Sequence, residues 1–305
     1  LARSSAIYYQ AYNGLTIYKA WVQPISTALN AVATRTADTG QVNWATIPNE
    51  PTVVRDYEIF AMGGPLQATA PIFIRVDYTG GTAGNIAVTV GTTTDGAGNL
   101  GGLLVAKQLL QNYPVTLNSS TIPQWVWTAH DTDGSYFTFT HNLDPSASGP
   151  DGAAIVVVER TRDNAGAATG AGFHVWRWWG FNTTQPSYIG CWTKTFGAAQ
   201  QTPNADMVPV AMFPDFWNTN TAYISPTSYA YPVYTYTVPL VKGASKALLF
   251  SYPYDFPRGQ PATVPHYGEQ MTFIPMSDAV PTPFPVYNTS GTLNNKNMSP
   301  LIRWD

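Results

Sequence analysis

The chain has 305 residues, with 15 Lys plus Arg against 18 Asp plus Glu, a formal charge of −3 and only 11% charged residues, where an ordinary soluble domain carries about 25%. So little basic charge, none of it clustered, argues against nucleic-acid binding through a basic face, and no run approaches the ~18 apolar residues of a membrane span. Ten Trp, 18 Tyr and 13 Phe argue against disorder, because disordered chains are charge-rich and aromatic-poor.

The opening LARSSAIYYQ carries neither the basic n-region nor the apolar h-region of a signal peptide. Helical spacing is confined to Thr16–Val32, where Ile17, Ala20, Trp21, Ile25, Ala28, Leu29 and Val32 share one face. Pro24 lies inside that run and predicts a helix that begins near Ala20, with the proline in its first turn or kinking it. The rest alternates like strands. The candidates are Tyr57–Met62, Pro71–Tyr78, Ile86–Gly91, Tyr136–His141, Ala154–Arg160, Gly172–Trp178, Tyr188–Thr193, Tyr231–Val238, Ala247–Ser251 and Met271–Pro275. They are rich in Val, Ile, Thr and aromatics and bounded by turn residues.

Two hairpins are marked, one turning at Asp131-Thr132-Asp133-Gly134 and one at Asp163-Asn164-Ala165-Gly166. The Gly-rich stretch Val90–Gly102 reads as an exposed loop between strands. A boundary near Gln111–Ser120 divides an N-terminal assembly module (1–112) from a second part (113–305) whose last sixty residues are dense in proline. Proline cannot donate to a sheet ladder, so that segment is expected to be extended and draped over a neighbour or over the body. The fold class is mainly β: an antiparallel β-sandwich or jelly-roll-like body with one N-terminal helix and an extended Pro-rich C-terminal segment. With Cys191 the one cysteine, no disulfide can form within the chain.

Catalytic constellations are hard to find. Asp131 and Asp133, and Asp95 with Asn99, resemble the start of a calcium loop but lack its further oxygen ligands and terminal Glu; they read as turn residues. Asp206, Asp215 and Asp255 lie among aromatics that could line a sugar groove, yet such an arrangement is more often plain core and corner packing. His130, His141, His174 and His266 show no metal-ligand spacing, no G-x-S-x-G elbow exists, and no phosphate-binding glycine motif precedes a helical pattern. The reading is a chain without enzymatic activity, cofactor or metal.

Aromatic density points to association instead. RWWGFNTTQPSYIGCW holds Trp176, Trp178, Trp179 and Trp192. On a strand, Trp176 and Trp178 share one face and Arg177 and Trp179 the other, so one face calls for a covering partner unless the strand is buried on both sides. Trp, Tyr and Arg are the residues that carry interface energy. These four tryptophans, with Trp217, are the interface and binding candidates.

The segments TADTGQVNWATI (Thr36–Ile47), DYEIFAMGGPLQATAPIFIRVDYTGG (Asp56–Gly81) and NIAVTVGTTTDGAGNL (Asn85–Leu100) resemble those of a set of uncharacterised structural proteins of tailed bacteriophages. VVVERTRDNAGAATGAG (Val156–Gly172) is similar to a later hairpin of the same proteins; the last hundred residues match poorly, and Met62-Gly63-Gly64-Pro65 departs from the pattern. The resemblance carries no catalytic motif and transfers no site residue. It implies a virion component of the tail, neck or adhesion apparatus, partnered by other virion subunits and by copies of itself. Exposed loops such as Thr92–Leu103 would then contact the host surface, with no nucleic acid or membrane insertion. The alternatives are a capsid decoration protein, or a carbohydrate-binding β-sandwich whose aromatics stack on host surface glycans.

Overall fold

The computed structural model describes residues 3–13, 18–46, 55–79, 85–103, 105–112, 121–131, 133–143, 154–162, 165, 167–179, 188–195, 210–212, 230–236, 242–251, 261–266, 269–275, 283–287, 293–297 and 299–304, several strands by backbone and register only. The first stretch gives β1 (Arg3–Asn13), α1 (Tyr18–Val32), β2 (Thr34–Arg35), β3 (Arg55–Ala61), a 3-10 turn (Pro65–Ala68), β4 (Phe73–Thr79) and β5 (Asn85–Gly91). There follow β6 (Thr93–Thr94), β7 (Leu100–Gly101), β8 (Val105–Asn112), β9 (Thr121–Asp131), β10 (Tyr136–Leu143), β11 (Ala154–Arg162), β12 (Ala168–Trp179) and β13 (Tyr188–Thr195). The remaining strands are β14 (Val210–Met212), β15 (Ala230–Tyr236), β16 (Lys242–Ser251), β17 (Ala262–His266), β18 (Glu269–Pro275), β19 (Pro283–Tyr287), β20 (Leu293–Asn297) and β21 (Ser299–Arg303). Every strand pairing among them is antiparallel. Among the described residues the protein is mainly β with one α-helix.

Three larger sheets run in the orders β2-β3-β4-β5-β8, β1-β9-β10-β11-β12-β13 and β14-β15-β16-β21-β18-β17. All ten strand regions expected from alternation overlap strands of these sheets, although Met62, Pro71 and Ile72 fall outside β3 and β4 and Thr237 and Val238 lie outside the described residues. Both expected hairpins form, β9 with β10 and β11 with β12. β1 belongs to the sheet of β9, across the 112/113 position where a boundary was expected. In the Pro-rich stretch, β19 and β20 form a separate ribbon, while β21 inserts between β16 and β18.

The helix begins at Tyr18, two residues earlier than the sequence suggests, so Pro24 falls in its interior rather than its first turn. Proline has no N–H to offer the carbonyl four residues back, so packing must hold this helix together. Ile25, Ala28, Leu29 and Val32 are buried at helical spacing while Thr27, Asn30 and Ala31 are exposed. The buried stripe lies on β1 and β9, where the Thr128 hydroxyl donates to the Ala28 carbonyl at 2.9 Å.

The five-stranded and first six-stranded sheets meet at a dense junction. Phe60 of β3 stacks on Phe137 of β10 with centroids 6.3 Å apart, and His130 Nε2 donates to the Met62 carbonyl. Burial pushes the His130 imidazole pKa down, against the opposing carbonyls of Met62 and Val32 and the carboxylates of Asp131 and Asp133. The guanidinium of Arg160, 1% exposed, donates to the carbonyls of Gly134 at 2.9 Å and Ala70 at 2.7 Å and to Gln67 Oε1 at 3.4 Å. Burial lowers its pKa to about 10, with Asp133 opposing. Gly134 adopts φ +75° in the β9–β10 turn, and a Cβ there would overlap the carbonyl of Gly63. On the neighbouring position of β11, buried Glu159 accepts from the amides of Lys246 at 2.9 Å and Ala247 at 3.1 Å. Adjacent strand residues point to opposite faces, so Glu159 and Arg160 tie β11 to a different sheet on each side.

Replacing Arg160 by Met is therefore expected to destabilise the fold by about 3 kcal/mol, since buried carbonyls lose their donors. Arg160→Lys should recover little of this, because one ammonium cannot reproduce the planar fork. Glu159→Gln, which keeps an acceptor oxygen, should cost less than Glu159→Leu; denaturant midpoints for the four variants check the ranking.

Candidate functional site

The chemistry best described in this chain lies where three quoted segments converge: TADTGQ, YEIF and TDGAGNL. Tyr57 of β3 pairs in register with Asp77 of β4, and Arg75 stands two residues before Asp77 on the same face. Arg75 donates from Nε at 3.1 Å and from Nη2 at 2.7 Å to Asp77 Oδ1, and from Nη1 to the Gly98 carbonyl at 2.5 Å. Its guanidinium carbon lies 4.0 Å from the centroid of the Tyr57 ring, a cation–π contact. The Tyr57 hydroxyl donates to the Thr39 carbonyl at 2.5 Å.

This stack pins the Gly-rich loop. β6 and β7 form a miniature ribbon, closed by Thr92 N–H to the Gly101 carbonyl at 3.0 Å. Asp95 folds the tip on itself by accepting from the amides of Ala97 and Asn99 at 2.8 and 2.9 Å and from Asn99 Nδ2 at 2.7 Å. Those bonds, the Asn99 side chain first, hold the Asp95 carboxyl below its ordinary pKa. Gly98 sits at φ +98° against the Tyr57 ring, where a side chain would overlap the phenol.

The facing segment is held equally firmly. Thr39 N–H donates to the Gly96 carbonyl at 2.8 Å. Asp38 accepts from the Thr94 hydroxyl at 2.5 Å; burial raises its pKa, but hydrogen bonds from Thr36, Thr94 and Gly98 outweigh it and hold the carboxyl low. Gln41 Nε2 donates to the carbonyls of Thr36 and Asp38 at 2.8 and 3.1 Å, while its Oε1 accepts from Ile59 N–H at 2.8 Å and Arg35 Nε at 3.2 Å. Below it Glu58, 0% exposed, receives Asn30 Nδ2 and the Tyr78 hydroxyl, each at 2.8 Å, and the Arg35 guanidinium at 3.2 Å. Asp56, two residues before Glu58, has an oxygen without a hydrogen-bond partner; burial and then the Glu58 charge push its pKa up.

A depression runs beside this cluster, lined by Arg35, Asp38, Gln41, Asn43 and half-buried Trp44, whose indole N–H donates to Ser26 Oγ at 2.7 Å. Thr39, Gly40, Asn43, Thr93, Asp95, Gly96, Ala97 and Asn99 are exposed, so the surface offers small polar groups around a rigid backbone. Beneath it the cations Arg35 and Arg75 are paired with Glu58 and Asp77, and Asp38 is held by hydroxyl and amide donors. The arrangement suits recognition by shape and main-chain hydrogen bonding better than proton transfer.

Of the residues named from sequence, Asp95 and Asn99 lie at the tip of this loop, and four tryptophans lie on β12 and β13. Trp176 lies in register between Val157 and Cys191, Trp178 between Ile155 and Ile189, Trp179 between Ala154 and Tyr188, and Trp192 opposite Val175. The side chains of these four tryptophans, and Trp217 entirely, lie outside the described residues, as do Asp206, Asp215 and Asp255. Asp131 and Asp133 serve the turn, their carboxylates receiving the hydroxyl and the amide of Ser135 respectively. Sequence reasoning quoted the segments holding Asp38, Gln41, Tyr57 and Arg75 but nominated none of these residues; their meeting depends on strand register. Among known proteins, no family model, curated protein or solved structure matches the chain.

Two variants probe the cluster. Gly98→Ala should destabilise the protein by about 2 kcal/mol, through positive-φ strain and displacement of Tyr57, and should speed hydrogen exchange at the Thr39 amide. Asp56→Asn has the opposite sign. With its folded pKa above the ordinary 3.8, the aspartate is unfavourable once ionised, so the asparagine variant should be the more stable at pH 7. That gain should shrink as pH falls through the raised pKa and vanish below 3.8; unfolding curves at several pH values check it.

Proposed function

We propose that this chain is a non-enzymatic structural component of a tailed-phage virion, tail- or neck-associated and serving attachment or adhesion, and that it works as a homo-oligomer among other virion subunits. Its body is read as a β-sandwich or jelly-roll-like stack with an extended Pro-rich segment. One observation carries the reading most. In a chain with so few charges, the described ones around the loop cluster are used as internal staples: Arg35 with Glu58 and Arg75 with Asp77. The exposed tip is left neutral but for Asp95. Such a surface avoids strong long-range charge and presents a preorganised shape, which suits contact with subunits or a host surface.

A second reading, a carbohydrate-binding module contacting host glycans, draws on the depression beside Trp44, where an aromatic ring adjoins amide, guanidinium and carboxylate groups. Capsid decoration is a variant of the first reading, with the same surface turned to a shell.

Light scattering on the purified chain at several salt concentrations tests the assembly reading. An oligomer whose mass is insensitive to salt is the expected result, because apolar and main-chain contacts are weakly screened. A folded monomer at all concentrations would overturn obligate self-assembly. Binding of host-surface polysaccharide that is lost in Trp44→Ala would then favour the glycan reading.

A further inference from the structure

Strand edges are where a β-protein is exposed to unwanted pairing, and natural proteins blunt them with short strands, proline, lysine or bulges. Nearly all the edges described here are blunted in this way. β2, β6 and β7 have two residues each and β14 has three. β17 contains Pro265, β19 contains Pro283 and Pro285, β20 contains Lys296 and β13 contains Lys194. β8 shifts register twice against β5. β1 has none of these devices. It is 11 residues of RSSAIYYQAYN, pairs with β9 without a register shift from Arg3↔Asp131 to Asn13↔Thr121, and ends its sheet with no strand on its other side among the described residues.

We infer that β1 is a homotypic interface: it pairs antiparallel with β1 of a second copy about a twofold axis at Tyr8, making one continuous sheet across the two subunits. The inference rests on the self-assembly reading and names its contact. A twofold perpendicular to a sheet pairs residues of equal parity, so α1, which lies on β1, stays on the same face in both copies. Centred on Tyr8, the pairing sets Ile7 opposite Tyr9 of the second copy, an aromatic–β-branched pair of the favourable kind. The strand's one charge, Arg3, then meets Asn13 rather than another arginine. Eleven paired positions supply about ten main-chain hydrogen bonds, the number of direct hydrogen bonds in a whole specific interface.

Cross-linking tests it. In a Cys191→Ser background, Tyr8→Cys places two thiols across the axis at a Cα separation of about 4.5–5.5 Å, within disulfide range. A mild oxidant should convert most of the chain to a covalent dimer, and Ile7→Cys, whose symmetry mate is displaced along the strand, should cross-link far less. As a second arm, Tyr8→Lys and Tyr8→Glu should each lower the mass in solution, and mixing the two should restore it. An oligomer with no Tyr8→Cys cross-link and no mass change in Tyr8→Lys would overturn the edge pairing while leaving self-assembly standing. A wild-type monomer would overturn both.

Discussion

The guanidinium of Arg160 is the contact on which the rest of the described architecture depends. It joins the β9–β10 turn to the segment after the 3-10 turn, and so locks the first six-stranded sheet to the five-stranded one. A buried cation is costly unless every donor is used, and here carbonyl and amide oxygens receive it from two directions while Asp133 offsets its charge. Apolar contact alone, such as Phe60 against Phe137, would let the sheets slide. Directional bonds to fixed carbonyls do not. The turns at Gly63 and Gly134 approach closely at the same junction, with no room for a side chain on Gly134.

The same logic extends through the loop cluster. Asp38, Glu58, Arg75 and Asp77 replace regular secondary structure in holding segments that have little of their own. Asp38, Glu58 and Arg75 join stretches distant in sequence, with Asp77 holding the Arg75 guanidinium in place, and each is relieved of its desolvation cost by more than one bond. A chain so poor in charge uses its charges where loops need fixing, and the site's rigidity is a consequence of that placement.

Alternation made the sheets legible. Ile74, Val76 and Tyr78 are buried with Arg75 and Asp77 on the other face, a pattern period-2 reading finds directly, and the Ile25–Val32 stripe did the same for the helix. β1 escaped because Ile7-Tyr8-Tyr9 puts adjacent apolar residues on both faces and blurs the period. β21 escaped because the prolines around it suggested an edge, whereas the short Ser299–Arg303 run fills a gap in a sheet. The loop cluster was visible as motif texture only. Asp38 and Thr94, or Arg75 and Gly98, meet through the register of β3, β4 and β5, and no local pattern encodes that. The tryptophans drew notice by composition, which says how much interface a sequence could make but not where.

β1 and β9 are neighbours in space, yet the whole run from α1 to β8 intervenes between them in sequence. Closing that loop as open chain would carry a large entropic penalty. β3, β4 and β5 form a meander of local antiparallel pairs, which can form early and shorten the effective distance between the two distant strands. The inserted sheet is thus placed to serve as the scaffold on which the longest-range pairing zips, and a chain with so much non-local strand pairing is expected to fold slowly. Until that zipping is done, β9 presents a bare edge of its own, so the interval before closure is when the chain is most exposed to aggregation.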